Sequence, residues 1–500
     1  MRAITVLCLF LILTACTGQG QVTGEPGAPT EMPARLPVQP TATSEPATET
    51  PAKPAAQPAA IPSFESSVLL AQWNANERRR EILPVDPATG QAVPGQAPLI
   101  IGKISQFAGV QTLSSDGRWL AAIESHGQVS EPNGGGTSHY SSADVLHLVD
   151  VTAWRAVTTT LPGRGWVWPI TFSPDTARLA LGYHNRTSST LMLFDTGTGQ
   201  LIAQQALAFR PSLMKYTQEG TALAIYGQPL SAVPGIAKPD PPRVLLVDAA
   251  TLDILWDQPL ASVISGSWCL ENCDAPHGEQ MFAGWWPAVV PSHDGHTLYI
   301  VHADEEKLTA VDFDARTVHS VEIREARSWF EELLALTAGV AEAKGGENGA
   351  FKEAVLSPDG TRLYVVGRTV NSTRDARGEW QVTEAFLGLQ VIDVESGRKV
   401  TGLDGQAKAI GTTPDGAYLL LDDWDGRVWW TEVLDAESLQ RVARLERWAV
   451  VPARRIDGQP ILLASDPYRG SQFAVLDPRS FDIVDTWSVS EHAEWVTTSP

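Results

Sequence analysis

Few residues in this chain have types and spacing suited to chemistry. Cys269 and Cys273 are separated by three residues. That spacing fits a small disulfide loop, which an oxidising compartment would favour. Free thiols are the alternative, as is a metal site that recruits His277. Three ligands at irregular spacing fall short of the four that a structural zinc wants, so no metal centre is expected. The 17 tryptophans are many for 500 residues. Trp166 and Trp168 stand before the segment PITFSPD, and Trp285 and Trp286 before PAVVPSHD. These four could offer a stacking surface for a sugar, peptide or cofactor; packing inside the fold is the competing use. Asp422, Asp423 and Asp425 with Gly426 miss the alternating register of a calcium loop and read as a solvated turn. His184, His293, His296 and His302 fall at strand ends without evident partners. The chain contains no nucleophile elbow, phosphate-cradling glycine loop or zinc-protease helix. No catalytic residue and no cofactor are therefore expected.

Cys16 belongs to a different context. Arg2 is followed by an apolar run from Ile4 to Leu13, which is too short to span a bilayer. A basic start, a brief apolar core and small residues at its end describe an export signal that is removed. The run closes on Leu13-Thr14-Ala15-Cys16, which resembles the bacterial lipobox. That resemblance implies acylation of Cys16 as the new N-terminus, and two or more acyl chains give stable membrane anchoring. Residues 1–16 are thus expected to be the signal.

From Thr17 to about Pro62 the chain is dominated by Pro, Thr, Ala, Glu, Gln and Gly and has no aromatic residue. Such a segment cannot bury enough apolar surface to offset its ordering entropy, so a disordered tether is expected over 17–62. From residue 63 to 500 the composition becomes rich in Trp, Val, Leu and Gly.

Two motifs alternate along that body. One is a strand, a Ser-Pro-Asp-Gly-like turn and another strand. Copies lie at Ser115-Asp116-Gly117, Ser173-Pro174-Asp175, Ser292-His293-Asp294-Gly295, Ser357-Pro358-Asp359-Gly360 and Thr413-Pro414-Asp415-Gly416, with weaker ones at Gly220 and Gly458. The other is a strand ending in Asp, a few turn residues and a further strand. It recurs eight times, at Asp86, Asp150, Asp195, Asp248, Asp312, Asp393, Asp435 and Asp477. Pro, Asp and Gly set φ, bond their own backbone and permit positive φ, which is what tight turns need. A unit holding both turns is a four-stranded antiparallel meander, one blade of a β-propeller. The body is accordingly expected to be all-β, with eight (alternatively seven) four-stranded blades. Closure should come from pairing of the N- and C-terminal strands, SVLLAQW (Ser67 to Trp73) with the strand at Trp495. Insertions are expected at Gly127–Ser142 and Asn371–Glu384. A single inserted helix is expected over about 324–343, where Trp329, Phe330, Leu333, Leu334 and Val340 approach helical spacing.

The segments SPDGTRLYVV (Ser357 to Val366), HTLYIVHADEEKLTAVD (His296 to Asp312) and VIDVESGRKV (Val391 to Val400) resemble the YVTN-type, WD-like β-propeller repeat family. That resemblance implies a binding surface or scaffold and, in some branches, a lactonase. The Asp-x-x-Thr-Gly turn also resembles that of quinoprotein-like propellers, which carry a Trp at a fixed place after it; Asp248 with Trp256 has that spacing.

A net charge of −21 argues against nucleic acid or an anionic membrane surface as a direct partner. The reading that results is an extracytoplasmic lipoprotein, anchored in the cell membrane or outer membrane. It would act as a non-catalytic binding or scaffold module for a protein or envelope polymer. A propeller enzyme of lactonase-like or quinoprotein-like type, with its site in the central channel, is the alternative.

Overall fold

The computed structural model describes residues 64–497, apart from 75, 103–110, 126–127, 134–135, 164, 186–187, 231–239, 274–280, 326–348, 375–379, 426, 469 and 490–492. Cys16, the tether and most of the segment expected to be helical lie outside them. Within that segment only Arg324 and Glu325 are described, and they form a short strand.

Eight antiparallel sheets follow one another along the chain. Blade 1 spans Val68–Gly102, blade 2 Gln111–Thr160, blade 3 Trp166–Leu207 and blade 4 Phe209–Pro259. Blade 5 spans Ala288–Glu322, blade 6 Gly349–Leu403, blade 7 Ala409–Glu446 and blade 8 Ala449–Ser488. Each is a meander of four strands, A innermost to D outermost. Blade 1 lacks its own strand A, and the C-terminal strand Ala493–Trp495 supplies it by pairing antiparallel to Val68–Asn74, with Leu70 opposite Trp495.

Packing between neighbours shows why the sheets must form a ring. Strand B of blade 3 reads Leu179-Ala180-Leu181, all fully buried. Its alternate side chains point to opposite faces. Leu179 and Leu181 pack on blade 2 residues such as Leu146 and Leu148. Ala180 joins Leu223 and Ile225 of blade 4. The same division repeats all the way round, giving eight buried apolar clusters for eight neighbouring pairs of blades. The last, between blades 8 and 1, joins Leu463 and Phe473 to Val68, Leu70 and Trp495.

The meander also sorts its connections. A-to-B and C-to-D turns lie on one face, here the turn face; B-to-C loops and blade-to-blade crossovers lie on the other, the crossover face. Turn-face geometry comes from short polar side chains. Ser357 Oγ donates to Asp359 Oδ1 at 2.5 Å and accepts from the Arg362 amide at 2.9 Å, while Asp359 Oδ1 accepts from the Thr361 amide. Ser114, Ser173, Ser292 and Thr413 repeat this arrangement with Asp116, Asp175, Asp294 and Asp415. These bonds favour the carboxylate and hold Asp359 down at about 2. The repeat aspartates are turn formers.

Extensions of secondary structure occur on the crossover face. Gln128–Asn133 and Gly136–Ser141 form a two-stranded hairpin between strands B and C of blade 2. Strands B and C of blade 6 are lengthened to Arg362–Arg374 and Trp380–Asp393. A further hairpin, Gly266–Glu271 with Met281–Trp286, occupies the crossover between blades 4 and 5. Its second strand pairs in parallel with Gly349–Phe351, the start of blade 6 strand A, and so extends that sheet inward toward the ring axis. At the opposite edge of blade 6, Arg324–Glu325 pairs with Arg398–Lys399 and covers an otherwise open outer strand.

Candidate binding face

The four tryptophans singled out above reach the crossover face, and all four are half-buried. Trp166 opens strand A of blade 3. Its ring lies 5.6 Å from that of His184, and the Arg210 guanidinium of blade 4 sits 5.2 Å over it. The Trp168 carbonyl bonds to His184 Nε2, and Ser189 Oγ lies 3.0 Å from Nδ1. Burial lowers the His184 pKa to about 4, so the imidazole is neutral at pH 7. This group closes the joint between blades 3 and 4.

Trp285 and Trp286 lie on the returning strand of the inserted hairpin. Trp285 stacks on Trp268 across it at 4.6 Å and 17°. The sulfurs of Cys269 and Cys273 are bonded to each other, tying the hairpin tip, with 5.7 Å between Cα atoms. Trp286 stacks on Phe351 of blade 6, with 6.5 Å between ring centroids, and Arg368 lies 5.1 Å over the Phe351 ring. From there the cationic and aromatic groups continue outward. Arg368 Nε is 3.6 Å from Glu384, and Lys408 Nζ lies 5.6 Å from the Phe386 ring and 4.8 Å from that of Trp424. Trp424 approaches Tyr468 of blade 8 at 6.3 Å. An arc of aromatic rings and cations thus runs from the inserted hairpin across blades 6, 7 and 8.

Burial depresses the pKa of Lys408, while the nearby carboxylates of Asp423 and Glu384 oppose that effect. Its ammonium donates to the Trp424 carbonyl at 2.5 Å. These contacts tie the Lys408 ammonium into the joint between Phe386 of blade 6 and Trp424 of blade 7.

Asp422 and Asp423 correct the expectation of a solvated turn: they are 1% and 2% exposed. They lie near the end of strand B of blade 7, Tyr418–Trp424, whose two faces are both covered by neighbouring blades, so adjacent residues are both buried. Asp422 Oδ1 accepts from the Thr431 hydroxyl. Only Asp425 shapes a turn, accepting from the amides of Arg427 and Val428.

The histidines also have partners. His293 Nε2 is 2.8 Å from the Ser357 carbonyl, and His302 Nε2 is 2.7 Å from Thr309 Oγ1. His296 bridges Asp314 at 2.9 Å and Glu219 of blade 4 at 3.0 Å. Each of these last two contacts joins segments distant in sequence or register, and no local pattern announces them.

No protein-family model matches the sequence, and no curated protein is similar to it at a significant level. The likeness is to solved structures. Dihydro-heme d1 dehydrogenase NirN, in complex with DHE, aligns with a TM-score of 0.51 and 12% identity, over 88% of this chain and 76% of that one. BamB from Moraxella catarrhalis aligns at 0.41 and 10% identity, over 73% and 91%. A eukaryotic initiation factor aligns at 0.45 and 12% identity, over 89% and 91%. At 12% identity the likeness to the dehydrogenase speaks for architecture alone, and with the eight sheets described above the body of this chain is an eight-bladed β-propeller.

Proposed function

We propose that this chain is a membrane-anchored extracytoplasmic lipoprotein whose propeller is a non-catalytic binding module of the YVTN-like kind, presenting its crossover face to a protein or envelope polymer. The observation that carries this reading is the contrast between the two faces. One bears the hairpins, the disulfide-tied tip and the arc from Trp268 to Tyr468. The other is built largely of tight aspartate turns whose side chains are occupied by their own backbone. Aromatic rings beside cations are enriched where proteins meet partners. The lipobox-like ending at Cys16 supplies the anchor, and the aromatic-free segment after it supplies the reach.

Cross-linking capture from solubilised envelopes tests this. The full chain should retain a partner that the double variant Trp268→Ser, Trp285→Ser loses by tenfold or more, an effect on the order of two hot-spot side chains. Glu437→Gln on the turn face should leave capture unchanged. Equal capture by all three chains would overturn the reading, as would catalytic turnover with no retained partner. Cys16→Ser should move the chain from the membrane to the soluble fraction.

A further inference from the structure

A cleft of about 360 Å³ opens between blades 6 and 7, at the rim of the crossover face. Its size is within the range of small-ligand sites. Gly388 and Leu389 of blade 6 line one side, Trp430 and Arg444 of blade 7 the other, and the crossover residue Gln406 lies at its edge. Asp423 also lines it. That carboxylate is 2% exposed, yet Oδ2 has no hydrogen-bond partner among the described residues. Its other oxygen accepts from the Trp424 amide at 2.7 Å. Burial raises the Asp423 pKa despite that bond and the nearby charge of Lys408. A buried acceptor left unpaired is costly, so a donor supplied from the cleft would be favoured.

The charges in the cleft are already balanced. Glu432 is bridged by Arg444 at 3.2 Å and Arg441 at 3.5 Å. Asp423 has Lys408 and Arg444 as electrostatic partners. With Asp404 also in the lining, three carboxylates (Asp404, Asp423 and Glu432) face three basic groups (Lys408, Arg441 and Arg444), so a neutral hydroxyl would satisfy Oδ2 without upsetting that balance. The remaining lining is of the same kind. Trp430 carries the Arg444 guanidinium at 4.4 Å, giving a flat wall. Gln406 is an exposed planar donor and acceptor, and Leu389 and Leu403 are apolar. Planar polar groups that read hydroxyls, beside apolar and aromatic surface that takes C–H faces, suit a sugar ring.

We infer that the cleft between blades 6 and 7 is a binding site for a neutral saccharide unit, with Asp423 accepting from a sugar hydroxyl, Gln406 and Arg444 reading its neighbours and the Arg444–Trp430 stack forming the wall beside the ring. The inference deepens the binding-module reading by giving an envelope polymer a sugar-sized point of entry, and it rests on that reading only for the choice of biological source.

Saturation-transfer NMR and titration on the full chain, with D-glucose, D-galactose and N-acetyl-D-glucosamine as probes and N-acetylargininamide as the cationic control, test it. At least one sugar should saturate and the control should not. Asp423→Asn should weaken that sugar by about tenfold, because a carboxylate acceptor becomes a neutral amide with one acceptor oxygen fewer. Gln406→Ala, on an exposed crossover where folding is not at stake, should weaken it severalfold. If no sugar saturates at concentrations on the order of 100 mM, where a millimolar site would be filled, the inference fails. It fails equally if the arginine derivative binds in the sugars' place, or if neither variant changes sugar binding. Partner capture through Trp268 and Trp285 is read separately, so loss of one result does not decide the other.

Discussion

At the scale of single residues, this propeller keeps polar groups at its blade joints and finds each a specific neighbour. His184 is the clearest case, being 1% exposed, bonded to Ser189 and the Trp168 carbonyl, and set against Trp166, over whose ring Arg210 lies. Its folded-state pKa of about 4 lies below the 6.5 of an unfolded histidine. The unfolded chain therefore binds the proton more readily between those values. The stabilising contribution is fully present above pH 6.5 and is lost as pH falls toward 4, by about 3 kcal/mol in all. Comparing urea unfolding at pH 7 and pH 4.5 for the wild type and His184→Gln isolates the effect. The wild type should lose more stability on acidification than the variant, and parallel losses would refute the assignment. The sequence allowed the position of His184 at a strand end to be read, but not its partners: Trp168 precedes it by a whole hairpin and Arg210 belongs to the next blade. Asp423 was hidden for another reason. Adjacent aspartates before Trp and Gly look like a turn, and only the continuation of strand B past Leu421, with both of its faces covered by neighbouring blades, puts them inside.

At the scale of elements, the C-to-D turn shows how neighbouring blades are keyed together. The residue that ends the turn has positive φ in every blade, as at Gly90, Trp154, Gly199, Leu252, Arg316, Gly397, Leu439 and Phe481. Glycine adopts this conformation without strain, whereas other residues pay about 1–2 kcal/mol. Where glycine is used, a side chain from the preceding blade fills the space: Trp487 lies against Gly90, Val157 against Gly199 and Val321 against Gly397. Where it is not, Leu252, Leu439 and Phe481 fill the joint themselves, at 1%, 7% and 1% exposure, whereas Arg316 is exposed. Burial of a large apolar side chain exceeds the backbone strain. Leu252→Gly should thus destabilise the protein by about 2 kcal/mol, the cost of the cavity less the strain relieved. Gly90→Leu should cost more, because its Cβ would meet the Trp487 ring at 2.2 Å. Denaturant midpoints read both, and a stabilised Leu252→Gly would show that strain dominates. The alternation of Thr-Gly and Ser-Gly with Thr-Leu, Ser-Leu and Ser-Phe in these turns was visible in the sequence. Its meaning was not, because the complementary residue lies on another blade. The hairpin between blades 4 and 5 was missed similarly: Cys269 and Trp285 were legible as residues, but an insertion inside a crossover breaks no repeat.

At the scale of the whole molecule, the fold follows from a simple constraint. A four-stranded meander exposes two apolar faces and cannot bury either alone, so each blade needs a neighbour on both sides. Eight blades satisfy this only by closing, and that much the repeat made legible: eight aspartate hairpins, one blade lacking its inner strand and one spare strand at the C-terminus. What no repeat could convey is the energetic weight of the closing joint. Trp495, 7% exposed, packs edge-on against Phe473 at 4.9 Å and Trp487 at 5.5 Å, so a residue five from the end of the chain lies in the core between blades 8 and 1. Glu494 beside it bonds Arg80 of blade 1 and Gln111 of blade 2. The burial of Trp495 between two blades makes substitution there costly. Trp495→Ala is expected to cost about 3–5 kcal/mol, the range for removing a buried aromatic side chain. Val484→Ala, on the outer strand of blade 8 at 59% exposure, should change stability by less than about 0.5 kcal/mol. Guanidinium unfolding followed by tryptophan fluorescence measures both. If the ring is held shut by its C-terminal strand, opening that joint removes one of eight mutually dependent interfaces and the entire transition moves to lower denaturant. A transition that stays in place for Trp495→Ala, as it does for Val484→Ala, would mean that the ring does not depend on its C-terminal strand for closure.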